Sequence, residues 1–524
     1  MRAVRASSFH DGSLLEQLAR EIGDCDGAGG DVLPFGGAGA TLEMYWASIC
    51  SGSEVVLFDL LSIATYYQSR GVNVIFKHRF SCECKPAKQQ WIHGLFDELG
   101  MEQACVFVRA EDLNQPRAYC CTHRRKCPVP DCDIMIAGTS CLSRSHRQVV
   151  NARWSNCRNL SPADVLKQES TPGGSAQTMR ALLQYVSHHC VAILLLENSD
   201  NLDEASPVSR STQTALDMVV DAIRRCGMAP CPLLTDSLLY GIPQERRRFY
   251  IVAVKDSGSM LFDFAMRPAA TVFAMLKERL TQHQRQAPCL SELLLATDDD
   301  CVEAMLNARL AKGVREGHYN VSAVAKTYKA GGIRWGDAEL NTDLPAKIWY
   351  GTLAPSAQAT LKYSRAEKPS GQVLCRDISQ SVARVRYSKF VDGRHVAMCQ
   401  CPEQVVWLEL PGKEPRLQLG LESMAIQGFP ISKVPRLVQR TSDHMLMDLG
   451  GNMMASVLPL AILQSLFVSL AWRPKACTLQ RPLAMSEGAV AIAMSSFHTM
   501  ISENDEAVEQ PCRAVKLRRR GAPS

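Results

Sequence analysis

The chain has 524 residues, with 58 Lys and Arg, 53 Asp and Glu, and a net charge of +5 at pH 7. Its content of 46% hydrophobic and 21% charged residues is that of a folded protein and excludes a disordered or collagen-like chain. The small basic excess permits a polyanionic partner without requiring one. The 21 cysteines are unevenly spaced in a long chain, which favours reduced intracellular thiols over a secreted disulfide framework.

Taken in chain order, the sequence first predicts a helix over residues 13–23 and a glycine-rich linker that ends at residue 40. Strand and helix patterns then alternate. The predicted strands cover residues 42–50, 73–80, 104–110, 132–138, 191–198 and 247–254, and the predicted helices cover 55–71, 87–100, 176–189 and 216–227. This alternation predicts an α/β fold with a doubly wound, mostly parallel sheet and helices on both faces.

The pattern changes after the last of these strands. Residues 256–410 are irregular and resemble a second, smaller domain inserted into the first, which spans 41–255 and resumes over 411–474. Residues 475–524 form a polar, basic tail that we expect to be largely disordered. An uncharged stretch from Met453 to Trp472 has about the length of a membrane span. Because it contains Pro459 and Gln464, we expect a buried helix and no membrane partner.

Polar residues follow several predicted strands, at the edge of an open α/β sheet where ligands bind. Cys141 follows the strand 132–138, where a thiol is either a nucleophile or a buried core cysteine. Glu197 and Asn198 follow five apolar residues. Burial favours the protonated form of a carboxyl group, which suits a proton donor. The alternative is that the strand simply ends there.

The first three strands also end in candidate binding residues. Ser51 and Gly52 are small enough for close approach to a ligand, although an ordinary turn would look the same. Glu83 lies where a doubly wound fold places an acid on a ribose, or it is a solvated turn residue. Asp112 is available to an adenine amino group, but local sequence favours a helix N-cap.

Alternating polar residues lead into the strand 247–254. Gln244, Arg246 and Arg248 would share one face of the chain, and Arg247 would face the other way. Arginines on one face suit a phosphate or carboxylate, although a solvated basic edge is the alternative. A thiol, an acid and an arginine clamp together suit covalent catalysis at an electron-poor ring with general-acid assistance.

The motifs GTSC, ENS, GIPQERRR, IQGFP and GGN occur in an order that resembles the cytosine-5 methyltransferases. The resemblance covers roughly residues 42–254 and 416–470. It implies a Rossmann-like domain that binds S-adenosylmethionine (SAM), with a target-recognition domain in the insert 256–410. The helix after Asn452 then resembles the element beside the cofactor pocket, with Asn452 among the cofactor contacts.

The resemblance also implies roles. Cys141 would attack carbon 6 of a cytosine flipped out of the stack, and Glu197 would protonate or hydrogen-bond ring nitrogen 3. Asn198 would hold the loop. Arg246 and Arg248 would steady the base and loop, while Gln244 and Ser145 would help to position the substrate. Ser51, Gly52, Glu83 and Asp112 would contact SAM.

Three motifs depart from the family pattern, and one of them is ENS, where Asp200 follows in place of the usual valine. The nucleophile has Ser140 and Leu142 where the family has proline and glutamine, and the first motif lacks its aromatic residue. The resemblance as a whole implies a DNA (cytosine-5-)-methyltransferase. Two alternatives stay open: a tRNA methyltransferase of the same family, and a catalytically degenerate nucleic-acid-binding homologue. The long insert favours DNA over tRNA. A DNA substrate suggests the nucleus, weakly supported by the basic segment 516–520, and otherwise the cytoplasm.

A second group of cysteines lies between residues 120 and 132. Thiolates and imidazoles at such close spacing suit zinc, and the candidate ligands are Cys120, Cys121, His123, Cys127 and Cys132. Because the sequence has no paired CxxC motif, we favour a loop of reduced thiols without a metal.

Overall fold

The computed structural model of the chain describes residues 13–24, 41–50, 52–139, 175–203, 214–256, 259, 261–312, 347–369, 371–379, 385–402 and 404–472. All of them lie within one unit, residues 1–481.

Nine strands form the central sheet. They are β1 (Thr41–Ile49), β2 (Asn73–Cys82), β3 (Cys105–Phe107), β4 (Arg117–Cys120), β5 (Arg125–Pro128), β6 (Ile134–Gly138), β7 (Ile193–Ser199), β8 (Met228–Asp236) and β9 (Arg247–Lys255). Their order is β5-β4-β3-β2-β1-β6-β7-β9-β8. The five central strands of the sheet, which are β3, β2, β1, β6 and β7 in that order, pair in parallel. The two pairs at each end of the sheet are antiparallel. The predicted α/β fold with a mostly parallel central sheet is confirmed.

Helices connect these strands and cover the sheet. They are α1 (Ser13–Asp24), α2 (Val56–Ser69), α3 (Pro86–Glu98), α4 (Ser175–His188), α5 (Ala215–Arg225), α6 (Ala269–Gln282), α7 (Asp300–Lys312), α8 (Lys347–Gly351), α9 (Pro355–Glu367), α10 (Gly420–Ile426), α11 (Pro435–Arg440), α12 (Asp443–Asn452) and α13 (Val457–Ser469). Local sequence sets several ends. Thr214 and Asp217 form a capping box at the start of α5. Pro86 begins α3, and Gly100 follows its end with a φ of +63°.

The apolar helix α13 lies in the core. Twelve of its thirteen residues are buried. It shares one apolar cluster with residues of α1, α2 and α6, and Nε2 of Gln464 donates to the carbonyl of Ala19 in α1. No single described helix is long and apolar enough to cross a membrane. α12 and α13 together reach that length and composition, but they are bent by 40° relative to each other.

The inserted region carries its own small sheets. β10 (Cys375–Asp377), β11 (Arg386–Tyr387), β14 (Val406–Leu408) and β15 (Arg416–Leu417) form one sheet, and β12 (Lys389–Val391) pairs with β13 (Arg394–Val396). The boundary predicted at residue 256 precedes α6, whose Val272, Leu276 and Leu280 pack in the same cluster as α13. The boundary predicted at residue 410 precedes β15.

Candidate active site

Three chain segments converge where β1, β6 and β7 end. Gly138, the last residue of β6, is in register with Glu197 on β7. A Cβ on Gly138 would lie 3.1 Å from the carbonyl oxygen of Cys50 and 3.9 Å from Oε2 of Glu197. The approach is so close that a larger residue at 138 would have to displace backbone. Glu197 therefore lies directly beside the strand that leads to Cys141.

Glu197 and Arg248 form an ion pair. Nε of Arg248 lies 3.1 Å from Oε1 of Glu197, and the two side chains are 16% and 11% exposed. Strand β9 runs antiparallel beside β7, which brings the two residues together although they are 51 positions apart. The buried carboxyl group expected from the apolar run thus has a cationic partner, which the sequence did not predict.

Asn198 connects the end of β7 to the segment after β6. Its side chain is buried, and Nδ2 donates to Oγ1 of Thr139 at 2.9 Å and to the Thr139 carbonyl at 3.4 Å. Oδ1 accepts from the backbone N–H of Ser199 at 2.9 Å. Asn198 therefore fixes Thr139, two positions before the proposed nucleophile. Cys141, Ser145 and Ser51 lie outside the described residues.

Arg246 joins the sheet to two distant segments. It is buried, Nη1 donates to the carbonyl of Gln400 at 3.0 Å, and Nη2 donates to the carbonyl of Met453 at 2.9 Å. Its backbone N–H donates to Oδ1 of Asp236. Arg247 lies on the opposite, exposed side. Arg246 thus ties the inserted region and the segment between α12 and α13 to β9.

Gln244 is engaged inside the protein. Its side chain is fully buried, Nε2 donates to Oε1 of Gln427 at 2.9 Å, and Oε1 accepts from the backbone N–H of Gln400 at 2.8 Å. Gln418 and Ser423 both donate to Oε1 of Gln400. Gln244 therefore positions residue 400, and its amide already has partners at both ends within the protein.

Two candidate cofactor residues meet at the end of β1. Gly52 has a φ of +73°, and a Cβ there would lie 3.6 Å from Nζ of Lys88 and 3.9 Å from Cβ of Asn452. Nδ2 of Asn452 donates to Oδ1 of Asp448 at 2.9 Å, and Nζ of Lys88 lies 3.3 Å from Oδ2 of Asp448. A buried lysine, an aspartate and an asparagine thus line one side of the Gly52 turn.

A glycine of the GGN motif positions Asn452. A Cβ on Gly451 would lie 2.1 Å from the backbone nitrogen of Pro402, so this helix end packs directly against the backbone of the inserted region. Only glycine permits that approach. The motif therefore has a packing role as well as its place next to Asn452.

Acidic residues lie at the ends of β2 and β3. Glu83 is buried, and Oε1 accepts the N–H of Lys85 at 2.9 Å. Asp112 lies half-buried in the short 3-10 helix Ala110–Asn114. Burial raises the pKa of the Cys50 thiol, and the nearby charges of Glu83 and Glu111 raise it further. Asp112 stays a predicted cofactor contact at the end of β3.

Cys399 is a site residue that the sequence did not indicate. Its Sγ lies 3.6 Å from Nη1 of Arg246 and 3.5 Å from Nη2 of Arg248. A hydrogen bond from Cys401 lowers the pKa of the Cys399 thiol, and the guanidinium groups of Arg248, Arg246 and Arg386 lower it further. It comes from the inserted region, where no motif marks it.

The structure changes the group of candidate metal ligands. Three of the five predicted residues, Cys120, His123 and Cys127, converge, and Cys105 joins them. The remaining two predicted residues lie elsewhere. Sγ of Cys121 is 3.7 Å from Nε2 of His93, and Sγ of Cys132 is 3.7 Å from the hydroxyl of Tyr185.

The fold and the site define an α/β protein with its polar residues gathered at the carboxyl ends of parallel strands. A family model described as C-5 cytosine-specific DNA methylase matches residues 157–431, just over half of the chain. The chain therefore belongs to the family of C-5 cytosine-specific DNA methylases, as the motifs predicted.

Two curated relatives carry the name DNA (cytosine-5-)-methyltransferase DMT5. The protein from Cryptococcus neoformans var. grubii is 26% identical over 436 residues, which cover 78% of this chain and 16% of that protein. The protein from Verticillium dahliae is 23% identical over 461 residues, which cover 78% of this chain and 19% of that protein. The chain thus spans less than a fifth of the length of these relatives.

Solved structures also resemble this chain. The Dnmt2 methyltransferase of S. pombe aligns over 81% of this chain and 98% of its own, with 12% identity and a TM-score of 0.42. The Entamoeba histolytica methyltransferase EhMeth aligns over 82% of this chain and 98% of its own, with 11% identity and a TM-score of 0.39.

Proposed function

We propose that this chain transfers a methyl group from SAM to carbon 5 of cytosine in DNA, through a covalent adduct between Cys141 and a flipped base. The observation that carries the proposal is the placement of Glu197, which is ion-paired to Arg248 and in register with the end of the strand that leads to Cys141. Addition to a pyrimidine requires a carboxyl group near the attacking thiol, and Glu197 lies beside the strand after which Cys141 follows in the sequence.

The chemistry divides between the two residues. The thiolate sulfur of Cys141 forms a bond to carbon 6, and electron density moves to carbon 5 and ring nitrogen 3. Glu197 in its protonated form donates a hydrogen bond or a proton at nitrogen 3 and so offsets the charge that develops in the ring. Carbon 5 would take the methyl group that SAM supplies, and the cofactor would leave as its demethylated thioether. Loss of the proton on carbon 5 and elimination of the sulfur from carbon 6 then restore the aromatic ring and the free thiol.

Surrounding residues hold this arrangement in place. Arg248 fixes Oε1 of Glu197, which leaves Oε2 on the side of Gly138. Asn198 fixes Thr139 at the start of the nucleophile loop. Contacts that fix catalytic groups in advance reduce the cost of reorganisation during the reaction.

SAM fits the edge formed by β1, β2 and β3, where it would supply an electrophilic methyl group. Gly52 permits close approach through its left-handed backbone, and Glu83 lies at the end of the second strand, where an acid meets a ribose in doubly wound folds. Asp112 after β3 and Asn452 at the end of α12 would complete that wall of the pocket.

DNA is the preferred substrate because both curated relatives carry that activity in their names. The inserted small sheets would read the duplex. Arg246 links them to the catalytic edge through Gln400, so base recognition and chemistry would share one rigid connection.

Trapping tests the proposal. In DNA that contains 5-fluorocytosine, fluorine replaces the proton on carbon 5 and cannot be removed by a base. Elimination of the sulfur is therefore blocked, and the enzyme should form a SAM-dependent covalent adduct that resists denaturation. Cys141→Ala should abolish the adduct, and the exposed Cys84→Ser should retain it. An adduct on tRNA alone would establish the tRNA alternative, and SAM binding without an adduct on either substrate would establish the degenerate one.

A further inference from the structure

Four side chains outside the candidate active site converge at the far edge of the central sheet. Nδ1 of His123 lies 3.5 Å from Sγ of Cys105, 3.4 Å from Sγ of Cys120 and 3.5 Å from Sγ of Cys127. All four ligand atoms lie within 4.8 Å of one another. We call these residues the Cys105 cluster.

The distances fit a single tetrahedral ion. With metal–sulfur and metal–nitrogen bonds of about 2.3 and 2.1 Å, tetrahedral angles place sulfur and nitrogen roughly 3.6 Å apart. All three measured sulfur–nitrogen distances fall close to that value. A disulfide between two of the thiols would leave the third thiol and the imidazole without a common partner.

The backbone sets this geometry. Cys105 begins β3, Cys120 ends β4, and Cys127 lies on β5, while His123 lies in the turn between β4 and β5. In that hairpin Ala118 is opposite Cys127, so Cys120, two residues along from Ala118, shares a face with Cys127. Oγ1 of Thr122 donates to the carbonyl of Ala104 and accepts the N–H of Val106, which fixes the turn against β3.

From this geometry we infer that the Cys105 cluster binds one structural Zn²⁺, with Cys105, Cys120, His123 and Cys127 as ligands. Thiolate and imidazole donors in a four-coordinate set select zinc over the oxygen-seeking magnesium and calcium ions. Four protein ligands close the site, so it is structural rather than catalytic.

The metal would stabilise the edge of the sheet. β3, β4 and β5 have only three, four and four residues, and a short two-stranded hairpin such as β4–β5 is weakly stable alone. The ion would join β3 to the β4–β5 hairpin. β3 continues into the helix Ala110–Asn114, where Asn114 donates to Gln184 of α4, so the joined edge also supports that helix.

Metal analysis of the purified 524-residue chain tests the inference. We expect about one zinc per chain, and X-ray absorption at the zinc edge should show three sulfur ligands and one nitrogen ligand. Cys105→Ser, Cys127→Ser and His123→Ala should each reduce the bound zinc to background, and His123→Cys should retain it as a four-cysteine site. Chelation of the wild-type chain should lower its melting temperature.

Cys121→Ser is the matched control because Cys121 lies next to a ligand and outside the Cys105 cluster. It should retain wild-type zinc. If the serine variants do not fold, Co²⁺ substitution of the wild type gives an independent answer, since a tetrahedral site with three thiolates has strong charge-transfer and ligand-field bands. A wild-type chain without stoichiometric zinc, or equal loss in Cys121→Ser and Cys105→Ser, would overturn the inference.

Discussion

Arg248 holds one oxygen of Glu197 and leaves the other on the side of Gly138. Nε of Arg248 is 3.1 Å from Oε1, while Oε2 is the atom that a Cβ on Gly138 would approach to 3.9 Å. The pair therefore orients the carboxyl group toward the end of β6. Orientation of this kind matters more for catalysis than for stability, because it fixes the donor before charge develops in the substrate.

Replacement of Arg248 should separate catalysis from folding. Arg248→Ala leaves Glu197 without its partner and should lower kcat on the order of 10²-fold, a typical loss for one catalytic electrostatic contact. Arg247→Ala is the matched control, since that side chain is exposed on the opposite face. Steady-state methyl transfer and thermal unfolding should be measured for both. Equal activity of the two variants would contradict the assigned role.

Asn198 and Thr139 should behave as a coupled pair. Asn198→Ala and Thr139→Val each remove the 2.9 Å hydrogen bond and should each lower the free energy of unfolding by about 1 kcal/mol. Since both delete the same contact, the double variant should lose less than the sum of the single losses. Urea unfolding of the four proteins gives the coupling.

The same variants should slow adduct formation with 5-fluorocytosine DNA while leaving SAM affinity unchanged. Asn198 holds Thr139, whereas the proposed SAM contacts follow β1, β2 and β3 or lie at the end of α12. A strictly additive cycle, or a loss of SAM binding equal to the loss of trapping, would show that the contact does not position the loop.

The parts of the site that sequence predicted are those set by short-range patterns. The apolar run of β7 predicts a buried strand, and its end places Glu197 and Asn198. The 3.6-residue and two-residue periodicities likewise placed four helices and six of the nine sheet strands of residues 41–255, but they missed β4, β5 and β8. These signals depend on neighbours along the chain, so one sequence is enough to find them.

What sequence did not predict depends on contacts between distant segments. Arg248 meets Glu197 because β9 inserts antiparallel between β7 and β8, an order that no local pattern encodes. Cys399 contacts Arg246 and Arg248, although at least 151 positions of the chain separate it from either arginine. Cys105 joins His123 only after β3 and the β4–β5 hairpin pair. Close spacing in the sequence also suggested Cys121 and Cys132 as ligands, but in the structure they contact His93 and Tyr185.

A buried ion pair joins β15 to α10 and should contribute strongly to stability there. Nη2 of Arg416 donates to Oε1 of Glu422 at 2.7 Å, and Nη1 donates to Oε2 at 3.0 Å. Neither side chain is exposed. Glu422→Ala leaves a buried guanidinium without a counter-charge and should lower the free energy of unfolding by about 3–5 kcal/mol. Calorimetric melting should show this loss. Glu422→Gln, which keeps an acceptor, should lose less.

The exposed pair of Glu16 and Lys433 provides the comparison. Their charged atoms are 3.6 Å apart, and both side chains are more than 40% exposed. Glu16→Ala should leave the melting temperature almost unchanged because solvent screens such pairs. A similar loss in Glu16→Ala and Glu422→Ala would rule out the argument from burial.

Asp59 should make stability fall as pH rises. It is fully buried in α2, neither carboxyl oxygen has a hydrogen-bond partner among the described residues, and burial raises its pKa well above 3.8. The folded chain therefore keeps a proton that the unfolded chain releases above about pH 4. The stability contribution is complete below that pH and is lost as pH rises through the folded pKa.

Asp59→Asn removes this dependence because the amide has no proton to lose. The variant should gain stability relative to wild type as pH rises above about 4, and the two should be closest at the acid end. Urea unfolding at a series of pH values measures the difference. A constant difference at every pH would mean that Asp59 does not titrate with folding.

Gly52 should be required for cofactor binding rather than for folding alone. Gly52 and Gly100 both have left-handed backbone, with φ of +73° and +63°. Alanine at either position should cost about 1–2 kcal/mol of stability through backbone strain.

A Cβ at Gly100 meets no described atom within 4 Å, whereas one at Gly52 would enter the turn beside Lys88 and Asn452. Isothermal titration with SAM should therefore show weaker binding for Gly52→Ala and wild-type binding for Gly100→Ala. Equal SAM affinity in the two variants would contradict a cofactor site at the end of β1, because the backbone strain is matched and only the position differs.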